Sequence, residues 1–504
     1  MTTFLPAATR HCGTRPTAPR GARRLAAALA AGLLCLLALV AVTGLRGTPV
    51  GAGDNGDGPR LYCGAGLVPQ TPDQVANWKG GVVLDFSRAE VCPDPVPSSA
   101  LLILRGAVHG DAGEWSLTRL GWVYALLAAG VTAVATWAAT AAGLRRALIL
   151  LPPLLPLLQP DFARFFVSTF SEPAGLLGAF ALLCGVGVVA ATGRQHRGAR
   201  LVGLALLAGG GLLAGTAKLG YAPLLGVAAL LCVLTALQLR PDRPRWRDHL
   251  AGPVVAGVLL LAVAGPIAAT LAWQTRAYGP VNQYNLVYTV VLTEVEGSAS
   301  ALGLPEAAAQ NAGNAFYPNG PDGVPGADRI AADPTATRNH AWRVLLEHPL
   351  ALGRAVGVAM QATQGRSLDY LPAQPYDTDT VAPVLGTSVG EQGAEAGKLR
   401  SWLDSMALPW WPSLLAALGM AAGLVGLRWR HPLGAAFGRT AGVAAVGAVG
   451  LATLAVLGDG YFEIAKHVWL AAYLLDVTLL ALAGAAATAL VVAAQRVVRV
   501  RRAG

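Results

Sequence analysis

Long apolar runs separated by short arginine-bearing segments constrain this chain more than any other feature. A helix of roughly 20 apolar residues spans a bilayer, because in hydrocarbon the backbone must satisfy its own hydrogen bonds. Runs of this kind, with loose ends, occupy 25–45, 117–143, 147–160, 174–193, 200–217, 222–239, 250–273, 406–427, 440–457 and 468–493. Only 13% of the 504 residues are charged and 54% are hydrophobic, whereas soluble domains carry about a quarter charged residues. The expected fold is an all-α polytopic membrane protein with about ten transmembrane helices. The run at 147–160 differs in kind. It is short and carries Pro152, Pro153 and Pro156, so a kinked or partly re-entrant helix is the alternative there.

The arginines give the orientation, since Lys and Arg accumulate in short cytoplasmic loops. Arg10, Arg15, Arg20, Arg23 and Arg24 precede the first run. Arg145 and Arg146, then Arg194, Arg197 and Arg200, then Arg240, Arg243, Arg245 and Arg247 fill every second loop. Arg428, Arg430 and Arg439 follow, and Arg496, Arg499, Arg501 and Arg502 end the chain. Both termini are thus expected in the cytoplasm of a multi-pass cell-membrane protein. The net charge of +10 is a topology signal and gives no case for nucleic-acid binding. The first run is too long for a signal-peptide core and no convincing A-x-A site follows it, so it reads as a retained anchor.

The organisation follows from these two patterns. Residues 1–24 form a basic cytoplasmic N-terminus. Residues 25–273 hold helices one to seven with an extracytoplasmic loop at 46–116. Residues 274–405 form a second extracytoplasmic segment, 406–493 hold the last three helices, and 494–504 are a basic cytoplasmic tail. Long segments in a compact membrane protein tend to be functional. The second carries an amphipathic helix from about Asn339 to Gln364, with Trp342, Leu345, Leu346 and Leu350 free to face lipid or the bundle; it lies in the interface plane or packs as an ordinary domain helix. Cys63 and Cys92 share the first external loop, where oxidation can join them; two free thiols are the alternative.

Four external clusters carry candidate chemistry. Asp54 and Asp57, in the string DNGDGPR ending at Arg60, are spaced to hold a divalent cation or act as a base, or they merely shape a turn. Asp161, Arg164 and Glu172 flank the fourth run. Carboxylates beside an apolar run need a partner or water, while Ser171, Glu172 and Pro173 also suit a helix start. Lys218 and Tyr221 lie in a short external turn, where a lysine often only snorkels. Asp459, Lys466 and His467 lie between the last two runs, suited to a phosphate or to anionic headgroups.

These pieces resemble a known group. GDNGDGPR at 53–60, STFSEPAGLL at 168–177, TAKLGYAPL at 216–224, NQYNLVYTVVL at 282–292, ALGLP at 301–305 and GDGYFEIAKH at 458–467 are similar, in order, to membrane glycosyltransferases of the GT-C superfamily. Within that superfamily the chain resembles actinobacterial glycan-biosynthesis hexose transferases that use polyprenyl-phosphate sugars. The resemblance implies transfer of a hexose from a polyprenyl-phosphate donor to an extracytoplasmic cell-envelope glycan acceptor, with inversion at the anomeric carbon. It implies Asp54 and Asp57 as the first acidic motif and Glu172 as the second; the adjacent acidic pair familiar in the superfamily is missing. Asp54 or Asp57 would be the base, or a ligand if the enzyme uses a divalent cation such as Mg or Mn. Arg60, Asp161, Arg164, Lys218, Tyr221, Arg276, Asp459, Lys466 and His467 would line the donor phosphate and substrate. Two readings from other classes stand beside it: a transporter or flippase for a lipid-linked sugar, and a non-catalytic envelope protein that binds a partner. Transporters favour paired repeats and midplane charges; here repeats are not evident and only Asp476 lies well inside a run.

Overall fold

The computed structural model describes residues 20–53, 56–70, 82–110, 113–237, 250–318, 320–365, 368, 371, 373 and 408–503. Asp54, the first 19 residues, the arginine-bearing loop 240–247 and the stretch 374–407 lie outside them. The protein is a polytopic helical membrane protein. Among the described residues, eight helices are long and apolar enough to cross a bilayer. They are α1 (Arg20–Val42), α4 (Leu117–Ala139), α6 (Glu172–Ala191), α7 (Arg197–Ala217), α9 (Ala251–Asn285), α12 (Trp411–Arg428), α13 (Pro432–Asp459) and α15 (Trp469–Ala503). Shorter helices are α2 (Pro59–Tyr62), α3 (Ser99–Val108), α5 (Leu151–Leu157), α8 (Ala222–Leu234), α10 (Pro334–Glu347), α11 (Pro349–Ala362) and α14 (Ile464–His467).

Two of the ten expected spans take another form. The proline-rich run is no continuous helix: a 3-10 stretch at Leu144–Leu150 leads into α5 and a further turn at Pro160–Ala163. Each proline removes a backbone donor and crowds the preceding turn. The pieces nevertheless climb along the bundle. Ile149 packs under Gly187 near the end of α6. Tyr473 donates to the Pro153 carbonyl at 2.8 Å, the Phe165 ring lies 4.2 Å from that of Trp469, and Phe166 stacks on Tyr124 near the start of α4. The expected span 222–239 is helical only over the 13 residues of α8, about 20 Å of rise and short of a hydrocarbon core.

The seventh span runs on well past its expected end at 273. From Ala251 the helix continues to Glu294, 44 residues, about 66 Å long and roughly twice the hydrocarbon thickness. Its outer part contains a π-helical turn at Leu286–Val291.

Helix α6 is apolar on every side and forms the centre of the bundle. It meets α7 through small residues: a Cβ at Gly178 would lie 2.5 Å from the Ala214 nitrogen, and one at Gly210 2.4 Å from the Leu182 nitrogen. Close backbone approach of this kind holds helices together where no hydrophobic force acts between them.

Loop 46–116 folds into a small body of its own. Strands β1 (Leu67–Pro69), β2 (Asp85–Arg88) and β3 (Trp115–Ser116) form an antiparallel sheet with Leu67 opposite Arg88 and Phe86 opposite Trp115. Cys63 and Cys92 are disulfide-bonded, Cα atoms 5.3 Å apart. Ser98 caps α3 and donates to the Ala217 carbonyl at 2.6 Å, which fastens the loop to the end of α7 beside Lys218.

The expected amphipathic helix is divided at His348, because Pro349 starts α11 afresh. Leu345 is buried and the Trp342 indole donates to the Leu457 carbonyl at 2.9 Å, while Leu346 and Leu350 stay 69% and 80% exposed.

Candidate functional site

Four separate parts of the chain converge at one end of the bundle. After α1 the chain turns through Gly56, whose φ of +97° only glycine adopts freely, and Asp57 precedes the single turn of α2. Arg60, three residues on, pairs with Asp57 at 2.7 Å and lies over the Tyr278 ring, 4.0 Å from its centroid. The second Asp57 oxygen accepts from Lys466 of α14, and Lys466 also meets Glu463 at 3.4 Å. Glu172 opens α6 and accepts from Lys218 at 2.9 Å. The Glu172 and Lys466 side chains are only 3% and 5% exposed.

Burial pushes the Asp57 carboxyl up, but Lys466, Arg60 and then Lys218 outweigh it and hold the group well below the usual carboxylate range. Burial opposes the Lys466 ammonium, yet Asp57 and Glu463 keep it above the ordinary lysine range. Both therefore stay charged at neutral pH. Lys218 acts on Asp57 and Lys466 acts on Glu172, so the two ion pairs form one electrostatic unit. Ser171 makes no side-chain cap at the start of α6; its hydroxyl donates to Glu172 instead, at 3.2 Å. The helix-start reading of Glu172 holds for its position and for Pro173, but the carboxylate also carries an ion pair.

The loop that delivers Lys466 is clamped to the outer part of α9. Asn285 donates to Asp459 at 2.8 Å and accepts from the Phe316 backbone at 2.8 Å. Asp459 in turn meets His467 at 3.1 Å. Tyr461 is held twice, its N–H donating to Thr289 and its hydroxyl to Glu294 at 2.7 Å; burial and Glu294 raise that phenol well above its usual range. Arg354 meets the other Glu294 oxygen at 2.9 Å. Gly460 sits at φ +61°, and a Cβ there would fall 2.3 Å from the Thr289 hydroxyl. Glu463 is left-handed without being glycine, φ +43°, a conformation that costs about 1–2 kcal/mol. Such outliers, like π-helical turns, concentrate at functional sites.

Of the residues expected from sequence, Asp57, Arg60, Glu172, Lys218 and Lys466 come together, and Asp459 and His467 pair with each other, His467 next in sequence to Lys466. The others take different places. Arg164 is buried and donates to the carbonyls of Leu368 and Leu371 at 3.3 Å. The Asp161 carbonyl accepts from Trp469 at 3.2 Å. Arg276 is exposed and pairs with Asp94 at 3.2 Å, which ties loop 46–116 to α9. Tyr221, by contrast, stays beside the cluster, its ring against Gly175 in the first turns of α6 and within the field of Glu172. Tyr461 and Glu463 belong to the expected cluster at 458–467, where they carried no separate role. Asn285, Tyr278 and Glu294 were not expected as site residues; Asn285 falls within the match at 282–292, and the other two had no local signal.

Among the described residues, which do not include Asp54, no three His, Cys, Asp or Glu side chains are grouped to hold a metal; Asp57 and Glu172 face ammonium groups. A family model described as the YfdI N-terminal transmembrane domain matches residues 20–370. No curated protein and no solved structure matches the chain.

Proposed function

The chain belongs to the YfdI N-terminal transmembrane domain family, and within that frame we propose that it is a membrane glycosyltransferase. It moves a hexose from a polyprenyl-phosphate donor to a glycan acceptor at the extracytoplasmic face of the cell membrane. The family description speaks only of a transmembrane domain. The observation that supports the activity is the half-buried cluster of Asp57, Arg60, Glu172, Lys218 and Lys466, which gathers cations and carboxylates at one end of apolar helices.

The chemistry needs both signs of charge. The acceptor hydroxyl oxygen bonds to the anomeric carbon as that carbon's bond to the phosphate oxygen breaks. Polyprenyl phosphate leaves with the electron pair, and the hydroxyl proton passes to a carboxylate. Lys466, Arg60 and Lys218 are the groups that would neutralise the phosphate where charge develops. With those cations on Asp57, the carboxylate is a weak base, since a good base titrates near the working pH. A phosphate that draws Lys466 and Arg60 away would raise Asp57 into a useful range at the moment the donor is in place. Glu172, held by Lys218, would orient the acceptor.

Asp57→Asn alone leaves a buried ammonium short of a partner, so lost transfer could reflect lost folding. The test is the neutral pair Asp57→Asn with Lys466→Met, assayed for transfer of labelled hexose from a polyprenyl phosphate to cell-envelope acceptor. The double variant should fold more stably than Asp57→Asn and still transfer nothing. Normal transfer by the double variant would reduce the pair to a structural tie and sink the assignment.

The same reading carries a topology of about ten crossings with cytoplasmic termini. Arg194 and Arg197 stand at the opposite ends of α6 and α7 from Glu172 and Lys218, as a positive-inside arrangement with an external site requires.

A further inference from the structure

The loop that carries Lys466 also bears the last member of a row of aromatic rings that the transfer chemistry does not use. Tyr288 packs on Tyr284 at 4.4 Å between centroids, Tyr284 on Phe316 at 5.5 Å, Phe316 on Tyr317 at 5.0 Å and Tyr317 on Phe462 at 6.0 Å. Tyr284 and Tyr288 are buried, whereas Tyr317 is 55% exposed. The row thus starts in the core and ends in the open, one residue before Glu463 and four before Lys466 in the same loop. We propose that Tyr317 and Phe462 form a ledge that binds a pyranose of the glycan acceptor by stacking on its C–H face. This deepens the transferase reading and rests on it for the identity of the glycan as acceptor.

The chemistry is specific to the class. One face of a pyranose is a patch of weakly positive C–H bonds, which suits the negative face of an aromatic ring, while its hydroxyls need amide or charged partners. Both are at hand. Asn314 is exposed and Asn311 half-buried on the turn just before Tyr317, and Asn314 reaches Asn311 at 3.4 Å. A ring anchored at a lipid interface would be expected among apolar neighbours, but the stretch 311–320 has three asparagines and two glycines, Gly313 and Gly320. The ledge is also rigid, which lowers the cost of binding. Gly313 donates to the Tyr288 carbonyl at 2.7 Å and Gly320 to the Phe316 carbonyl at 2.7 Å. Asn285 holds Phe316 with its oxygen and Asp459 with its nitrogen, so one buried amide fixes the ledge relative to the loop that bears Lys466. A sugar stacked on Tyr317 and Phe462 is therefore held against the loop that carries Lys466.

The test uses the full chain in lipid nanodiscs without any donor. Saturation-transfer NMR is recorded with linear tetrasaccharides of glucose, of mannose and of galactose as probes. At least one should bind the wild type with transfer strongest at ring C–H protons, and Tyr317→Ala should weaken it about tenfold or more. Tyr317→Phe keeps the ring face and should bind within about twofold of wild type. Phe462→Leu, which keeps apolar bulk and removes the ring, should also lose binding. The proposal is overturned if none of the three binds, if Tyr317→Ala binds like wild type, or if Tyr317→Ala alters only lipid-headgroup contact. Glycan binding that needs Tyr317, in a protein that never transfers a hexose, keeps the ledge and removes the transferase reading. Transfer that ignores Tyr317 does the reverse.

Discussion

Asp57 and Lys466 lie 409 residues apart in sequence, and their contact changes how each residue must be read. A lone Asp in a Gly-rich turn tolerates Asn, whereas one that neutralises a buried ammonium does not. Breaking a buried pair from one side costs roughly 3–5 kcal/mol; Asp57 is partly exposed and Glu463 remains near Lys466, so about 2–3 kcal/mol is expected for Asp57→Asn. Thermal unfolding in detergent should show Lys466→Met losing at least as much, with the double variant recovering part of it. The pH dependence follows from the direction of each shift. Asp57 is depressed, so its contribution is present above about pH 4, the ordinary carboxylate value, and fades as pH falls through its lower folded value. Lys466 is raised, so its contribution is complete below about pH 10, the ordinary lysine value, and fades as pH climbs past the folded one. The stability gap between wild type and the neutral double variant should stay flat from about pH 5 to 9 and narrow only outside that window. A gap that varies across the neutral range would mean that another group governs the pair.

At the scale of the element, the loop between α13 and α15 is held by backbone geometry as much as by charge. Gly460→Ala adds a Cβ 2.3 Å from the Thr289 hydroxyl at φ +61°, so the loop must lift off the π-helical turn. We expect a loss of about 2 kcal/mol or more, with loss of hexose transfer. Gly458→Ala is the control: it lies in α13 with nothing within 4 Å of a new Cβ and should be neutral or slightly stabilising, as alanine favours helix. Equal effects at 458 and 460 would remove the clamp. The disulfide acts on another element. It spans a sequence separation of 29, worth about 3–4 kcal/mol by chain entropy, so Cys63→Ser should lower the melting point of loop 46–116 as followed by Trp115 fluorescence. Which elements the sequence revealed follows from what marks them. The runs that became α1, α4, α6 and α13 are bounded by polar residues or arginines, and hydropathy found them within several residues. Helix α9 has no such boundary: WQTRAYGPVNQYN keeps the helix while losing apolarity, so hydropathy marked the membrane edge and missed the helix end. The site was legible as single residues, since buried-side carboxylates and lysines are rare in such a chain. Their pairing was not, because nothing in GDNGDGPR or GDGYFEIAKH records that the two meet.

For the whole molecule, the orientation depends on the weakest stretch, residues 144–166. Helix α4 and helix α6 run from and to the same question: if the proline-broken pieces between them turn back, Glu172 would begin on the Arg145 side of the membrane. Glu172 instead shares one field with Asp57 and Lys466, and Asp57 follows α1 directly. The chain must therefore return across the bundle between Arg146 and Glu172, and the contacts of Ile149, Pro153 and Phe165 trace that return in steps. Backbone interrupted by proline is tolerated at membrane depth only when protein covers it, which explains why Pro152, Pro153, Pro156, Phe162 and Phe165 are all buried. Single cysteines at Arg145, Gly198 and Ala312, in a Cys12→Ser background, test the resulting topology with a membrane-impermeant thiol reagent on intact cells. Ala312 is exposed and should label from outside, whereas Arg145 and Gly198 should label only after the cytoplasmic face is opened. External labelling of Gly198 but not Arg145 would show that 144–166 fails to cross. External labelling of both would reverse the whole protein and place the ionic cluster on the cytoplasmic side, where an extracytoplasmic acceptor could not reach it.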